Sequence, residues 1–103
     1  MIEFRDIKLK SGIITAIKIN FKHAPLIVLS SPKGFVMCGY LDMNIANKVG
    51  DVAAKVTGVN TISSALDAPI VALSENAKKY DVEIGMSSRK FLNTIMKPIW
   101  PVY

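Results

Sequence analysis

A strand runs into a helix start in the stretch that decides the fold, Gly34-Phe35-Val36-Met37-Cys38-Gly39-Tyr40-Leu41-Asp42. Its apolar run is typical of a buried strand. The side chain of Asp42 can accept hydrogen bonds from the unpaired amides that open a helix. The chain's single cysteine lies at the end of the strand. Because binding and catalytic groups are often found where a strand gives way to a helix, this stretch predicts both a change of element and a candidate site.

Alternating apolar residues predict β structure on the N-terminal side of this stretch. Residues 13–21 alternate at the two-residue period of a strand, and an earlier strand is expected over residues 2–9. Apolar positions change parity within that earlier strand, which predicts a β-bulge or a twist near Arg5-Asp6. A third strand over residues 26–30 turns at residues 31–34, where proline and glycine favour a tight turn, into the strand of the opening stretch. Residues 1–40 should therefore form an antiparallel sheet of about four strands.

Capping residues predict three helix starts in the rest of the chain. Asp42 should cap a short helix over residues 43–49, and Thr61 another over residues 62–66. Ser87 should cap a last helix that ends near Met96. Each of these side chains can accept a hydrogen bond from a main-chain amide of the first helical turn.

The segments between these helices predict further elements. Residues 52–59 are rich in β-forming residues and indicate a fifth strand that breaks at Gly58. Pro69 is tolerated in a first helical turn and should open a longer helix. A short strand is expected over residues 82–85. The inward stripe of the longer helix would consist of Ile70, Leu73, Ala77 and Tyr80.

Length and composition predict one domain. A chain of 103 residues can enclose a single core, and its 50% apolar and 20% charged residues are far from a disordered composition. We expect a single compact α+β domain over residues 1–97, with a β-rich part at 1–40 and a mainly helical part at 41–97. The apolar, aromatic tail of residues 98–103 should either fold back over the core or insert into a neighbouring subunit.

Composition also excludes several classes of function. No apolar run is long enough to cross a bilayer, and the N-terminus is unlike a signal peptide, so we expect a cytoplasmic protein without membrane contact. One cysteine and one histidine exclude a disulfide framework and a zinc-thiolate site, and no metal or other cofactor is expected. The net charge of +5 comes from scattered lysines, so nucleic acid is not the expected partner.

Cys38 is the first candidate for chemistry. A helix N-terminus beside a thiol stabilises the thiolate, but Asp42 competes for the same helix end with a negative charge. His23 is the only histidine that could serve as a base, and a surface loop position is the simpler interpretation of it. Two interpretations of Cys38 stand, a reactive thiol and an inert core residue, and the inert one is favoured because free cysteines are commonly buried.

The second candidate is the helix start Gly85-Met86-Ser87-Ser88-Arg89. Free amides, hydroxyl groups and the positive end of the helix dipole would face one place, and an arginine can hold a phosphate or carboxylate through two parallel hydrogen bonds. A small anionic ligand at Ser87 and Arg89 is therefore one interpretation. The alternative is that Ser87 only caps its helix and Arg89 is solvated.

Three stretches resemble the YunC-like family: residues 34–42, then Gly58-Val59-Asn60-Thr61-Ile62 with Leu66-Asp67-Ala68-Pro69, then Gly85-Met86-Ser87-Ser88-Arg89. The resemblance implies a bacterial or archaeal domain of unknown function whose N-terminal β-sheet region mediates tetramerisation. It brings no catalytic residues that could be carried over. The chain departs from the family at Ser88, where glycine is common, and in the tail after Met96.

The first two predicted strands carry more apolar side chains than one covered sheet face requires. We expect the second face to meet another copy of the chain, with a homotetramer as the first choice. Two functions from different classes follow. The favoured one is a non-catalytic binding or scaffold module, because no acid, base or metal constellation is evident. The alternative is a small-ligand-binding enzyme or sensor whose site gathers Cys38, Asp42 and the Ser87-Arg89 helix start.

Overall fold

A computed structural model describes residues 1–97 and folds them into one six-stranded sheet with helices on both faces. The elements in chain order are β1 (Ile2–Leu9), β2 (Gly12–Asn20), β3 (Pro25–Ser30), β4 (Phe35–Met37), α1 (Met43–Val49), β5 (Ala53–Lys55), α2 (Ile62–Asp67), β6 (Ala72–Leu73), a 3₁₀ turn (Ala77–Lys79) and α3 (Ser88–Met96). The expectation for the tail, residues 98–103, lies outside the described residues.

The strands lie in the sheet in the order in which they occur in the chain. Neighbouring strands are antiparallel except β4 and β5, which run parallel and are connected through α1. The predicted α+β class and the N-terminal antiparallel sheet of four strands are confirmed. β5 and β6 are the further strands that the sequence indicated.

The predicted bulge near Arg5-Asp6 is wrong. β1 and β2 pair without interruption from Ile2 opposite Ile19 to Leu9 opposite Gly12. The change of apolar parity has another cause. Helices cover one face of the hairpin near its turn, and the other face is open along its length. Phe4 lies on the open face and Ile7 packs against the core. The same strand is therefore apolar on both faces, at different places.

One face of the sheet, the core face, carries the main hydrophobic core. Ile14 and Ala16 of β2 and Leu29 of β3 are buried there in one cluster with α2 and α3. Burial of each large side chain stabilises the fold by about 1.5–3 kcal/mol. Packing of α2 and α3 against this face is therefore a main source of the stability of the domain. The fully buried side chains of α3 are Phe91, Leu92 and Ile95.

The predicted starts of α2 and α3 are confirmed. The Thr61 hydroxyl accepts a hydrogen bond from the Ser64 N–H at 3.0 Å, and the Ser64 hydroxyl accepts one from the Thr61 N–H at 3.1 Å. The Ser87 hydroxyl accepts a hydrogen bond from the Lys90 N–H at 3.1 Å. These bonds satisfy amides that a helix N-terminus leaves without partners.

α1 covers the opposite face of the sheet, and it does so at the β4–β5 end. Met37 and Ala53 form a second buried cluster there with Ala46 of the helix. The Asp42 carboxylate caps α1 by accepting a hydrogen bond from the Asn44 N–H at 2.8 Å, as predicted. In the part of the chain that the structure describes, β1 and β2 have helices on the core face only.

The helix predicted to follow Pro69 is wrong. Its residues form β6 and the 3₁₀ turn, and β6 pairs with the edge of β5. The Ser74 hydroxyl secures this path by accepting hydrogen bonds from the N–H groups of Ala53 at 2.9 Å and Ala77 at 3.2 Å. Main-chain groups along the β5 edge need hydrogen-bond partners once they are buried. Pairing with these groups is more favourable than the helix that the spacing of the apolar residues predicted.

Two predicted strands differ from the structure. β5 is limited to Ala53–Lys55, because Gly58 adopts a left-handed conformation with φ of 70° and turns the chain toward α2. Residues 82–85 form no strand, although the Gly85 N–H donates to the carbonyl of Ile70 at 2.9 Å. Residues 41–97 are therefore less helical than expected, because loops that pack on the sheet edge lie between the helices.

Candidate functional site

A cleft lies at the carboxyl ends of the parallel strands β4 and β5. The chain leaves β4 toward α1 on one face of the sheet and leaves β5 toward α2 on the other. In open sheets, adjacent parallel strands whose connections diverge in this way leave a crevice that commonly binds ligands. The crevice here, called the switch cleft, has a volume of about 450 Å³. Its lining residues are Ala24, Pro25, Cys38, Gly39, Tyr40, Gly58, Val59 and Asn60.

Cys38 is a free thiol at the base of the switch cleft. Only 4% of the residue is exposed, and its Sγ accepts a hydrogen bond from the Ile27 N–H at 3.3 Å. The paired residues of β3 and β4 end at Val28 opposite Met37, so the sulfur occupies the place of the next main-chain acceptor. His23 is exposed and does not line the cleft. The geometry thus describes a buried thiol without an adjoining histidine.

Two glycines border the switch cleft for different reasons. Gly58 needs its positive φ, a conformation that other residues adopt at a cost. Gly39 has no positive φ, and a Cβ built on it would meet no atom within 4 Å. Neither strain nor crowding within the described chain therefore requires a glycine at position 39.

Tyr40 forms one wall of the cleft opening. Its hydroxyl donates a hydrogen bond to the Ala24 carbonyl at 3.4 Å, and its ring packs edge to face against Phe21 at 5.4 Å between centroids. The loop after β4 is thereby attached to the loop before β3. The sequence did not predict Tyr40, Gly58 or Asn60 as site residues, since only the pairing of β4 with β5 brings them beside Cys38.

Asp42 lies away from the switch cleft. It lines a separate cavity beneath α1, on the face of the sheet opposite the core face, together with Phe35, Ile45 and others. Its carboxylate holds the first turn of α1 through the Asn44 N–H. The structural role of Asp42 is that of a helix cap.

Ser87 and Arg89 line a third cavity, called the basic cavity, of about 510 Å³ between the β1–β2 turn and α3. One of the main-chain amides that the sequence predicted to be free is paired within the protein. The Ser88 N–H donates a hydrogen bond to the Ala68 carbonyl at 3.0 Å. The Arg89 guanidinium lies 3.5 Å from the carboxylate of Asp67 in an exposed ion pair. The other lining residues are Lys10, Ser11, Lys90, Asn93, Thr94 and Lys97.

The structure does not bring the three predicted segments together. Cys38, Asp42 and the Ser87-Arg89 helix start line three different cavities. Each residue is surrounded by its own set of neighbours, and one site that gathers all three has no support from the geometry of residues 1–97.

An exposed apolar surface covers the open side of the N-terminal hairpin. Ile2, Phe4 and Ile13 are 65%, 67% and 60% exposed, respectively. Alternation along paired strands places Ile17 and Ile19 on the same face, and none of the five side chains belongs to either core cluster. We call these five residues the outer hairpin face.

Two classes of site find no support in residues 1–97. These residues contain no group of three or more histidine, cysteine, aspartate or glutamate side chains arranged to hold a metal ion. Among the helices formed by the same residues, none has the length and apolar character needed to span a membrane.

Comparisons with known proteins agree on one group of relatives. A family model described as a domain of unknown function, DUF1805, matches residues 37–95. The chain is 30% identical over 101 residues to the uncharacterized protein YunC of Bacillus subtilis, covering 94% of this chain and all of that protein. It is also similar to the crystal structure of a protein of unknown function, TA1206, from Thermoplasma acidophilum, with 34% identity and a TM-score of 0.87 over 92% of this chain and 93% of that one.

Proposed function

The chain belongs to the DUF1805, or YunC-like, family, and from this premise we propose that it is a self-associating, non-catalytic binding or scaffold module. The observation that carries the proposal is the outer hairpin face. Large apolar side chains that cluster on a surface mark places where proteins meet. Ile2, Phe4 and Ile13 of this face are each more than half exposed, so the face is accessible to a partner.

A second copy of the chain is the partner that fits this face. Asp6 and Lys8 lie on the same face as Phe4 in the β1–β2 register, so each copy presents one acid and one base beside its apolar residues. In an interface with two-fold symmetry, every contact between a residue of one copy and a residue of the other occurs twice. Asp6 of each copy can therefore pair with Lys8 of the other, in both halves of the interface. Burial of about 1,000 Å² or more would be expected of a stable contact.

A tetramer is the assembly we propose. A tetramer with three two-fold axes needs at least two different self-complementary contacts. The hairpin offers two, because the outer hairpin face lies beside the edge of β1, which is an outermost strand of the sheet. Edge strands present unpaired N–H and C=O groups that can pair with another chain.

The test is native mass spectrometry of the purified protein, supported by light scattering. We expect a tetramer for the parent and smaller species for Phe4→Lys, because a lysine in an apolar interface leaves its charge unpaired. The matched control is Glu3→Lys, which introduces the same residue next along the strand on the opposite face. A monomeric parent, or equal dissociation of both variants, contradicts the proposal.

A second candidate function is binding of a small anion in the basic cavity. Lys10, Lys90 and Lys97 line it together with Arg89, whose guanidinium already pairs with Asp67. Gathering like charges is unfavourable unless an anion neutralises them. We expect inorganic phosphate to raise the unfolding temperature of the parent and to do so less in Lys10→Ala/Lys90→Ala. The control is Lys78→Ala/Lys79→Ala, and an equal response of both double variants excludes the site.

Cytoplasmic localisation stays a prediction. Cys38 is a free, buried thiol, which suits a compartment that keeps thiols reduced. Fractionation of cells that express the chain at its natural level would test it, and recovery in a membrane or extracellular fraction would contradict it.

A further inference from the structure

Main-chain donors without protein partners surround the switch cleft. The N–H groups of Gly39, Tyr40, Gly58 and Val59 have no hydrogen-bond acceptor among the described residues. Other loop amides that pack on the sheet are paired, as the Gly85 N–H is with the Ile70 carbonyl and the Val71 N–H is with the Lys55 carbonyl. Gly39, Tyr40 and Gly58 are exposed and Val59 is buried, and main-chain donors without a protein partner bind water or a ligand. A ligand in the cleft would replace water at these donors.

Gly39 leaves space that the chain itself does not use. A Cβ at this position would meet nothing and would need no unusual conformation. Glycine at such a position allows another molecule to approach the main chain closely. The same loop contains Tyr40, whose ring is held in place by Phe21 and by the hydrogen bond to Ala24.

The lining of the cleft restricts the class of ligand. None of its eight residues is charged, and carbon surface dominates. A volume of about 450 Å³ suits a small molecule. We propose that the switch cleft binds a small, uncharged ligand that presents a carbonyl-type acceptor to the main-chain N–H groups of the two loops and lies against Gly39. This site is independent of self-association through the hairpin.

Two probes of the same shape test the acceptor requirement. Benzamide is planar and uncharged and has a carbonyl oxygen, whereas benzamidinium replaces that oxygen with a donor group and carries a positive charge. We expect benzamide to shift the amide NMR signals of Gly39, Gly58 and Val59 with a dissociation constant of about 1 mM, as its size allows. Benzamidinium should bind at least about tenfold more weakly, because donors facing donors lose hydrogen bonds.

Substitution of Gly39 separates binding from folding. Gly39→Ala should unfold at the same temperature as the parent or a higher one, because the residue fits without strain. Gly39→Leu should keep the parent's NMR spectrum outside the cleft and bind benzamide at least about tenfold more weakly. The matched control is Lys79→Leu, which introduces the same side chain at an exposed position away from the cleft.

Several outcomes would overturn the proposal. One is that about 20 mM benzamide leaves the amide signals of both cleft loops unshifted, although occupancy would be high at the expected affinity. Another is equal binding of benzamide and benzamidinium. A third is that a folded Gly39→Leu variant retains the parent's affinity. Because these measurements follow loop amides and not mass, they remain decisive whether or not the protein forms a tetramer.

Discussion

Ser74→Ala should be among the most destabilising single-atom deletions in this protein. Ser74 is completely buried. Its hydroxyl accepts from the N–H groups of Ala53 and Ala77 and donates to the Asp51 carbonyl at 2.8 Å. Removing the oxygen leaves two buried donors without acceptors, and each such group costs about 1–3 kcal/mol. We therefore expect the free energy of unfolding to fall by about 3 kcal/mol, or the unfolding temperature by about 15 °C.

Urea unfolding followed by circular dichroism measures this loss, at one protein concentration so that assembly does not change the comparison. The matched control is Ser88→Ala. Ser88 is equally buried, but its hydroxyl makes one long hydrogen bond, to the Ala68 carbonyl at 3.4 Å. We expect a loss below about 1 kcal/mol for the control. Equal losses in the two variants would refute the hydrogen-bond account of why residues 69–80 leave the helical path.

Three further predictions concern single positions. Gly34→Ala should lower the free energy of unfolding by about 1–3 kcal/mol in the same urea assay, because its Cβ would collide with the Val52 carbonyl oxygen; unchanged stability would show that the turn can shift. Thr61→Ala removes the cap of α2 and should cost about 1 kcal/mol, whereas Thr61→Ser should restore the parent's value. Cys38 should react with a chromogenic disulfide reagent at least about 100-fold more slowly in the native protein than in urea, and fast native reaction would favour the reactive-thiol interpretation.

Local signals in the sequence were sufficient for most elements. The three helix starts could be predicted from the capping residues Asp42, Thr61 and Ser87. A capping hydrogen bond joins residues at most three positions apart, so it is visible in a short window of sequence. Period-two alternation located β2, and an interrupted alternation was still sufficient to locate β1. Residues 69–80 were misassigned, because the open edge of β5 and the buried hydroxyl of Ser74 decide their path. Neither can be read from a window of neighbouring residues.

The candidate site was predictable only in part. Cys38 was identified from its place at the end of a strand, and it does line the switch cleft. Gly58 and Asn60 reach the same cleft because β5 pairs with β4 in parallel, a pairing that no local pattern in the chain specifies. Asp42 and Arg89 were grouped with Cys38 by chemistry alone, and the divergent connections of the two strands place them elsewhere.

The sheet order has a consequence for the time course of folding. Every strand pairs with its immediate predecessor in the chain, so the sheet can grow during synthesis without waiting for a distant segment. The four antiparallel strands are complete once residue 37 has emerged, whereas the switch cleft needs β5 and the loop that follows it. A nascent chain therefore presents its outer hairpin face before the proposed ligand site is complete, and conditions that slow elongation would lengthen that interval.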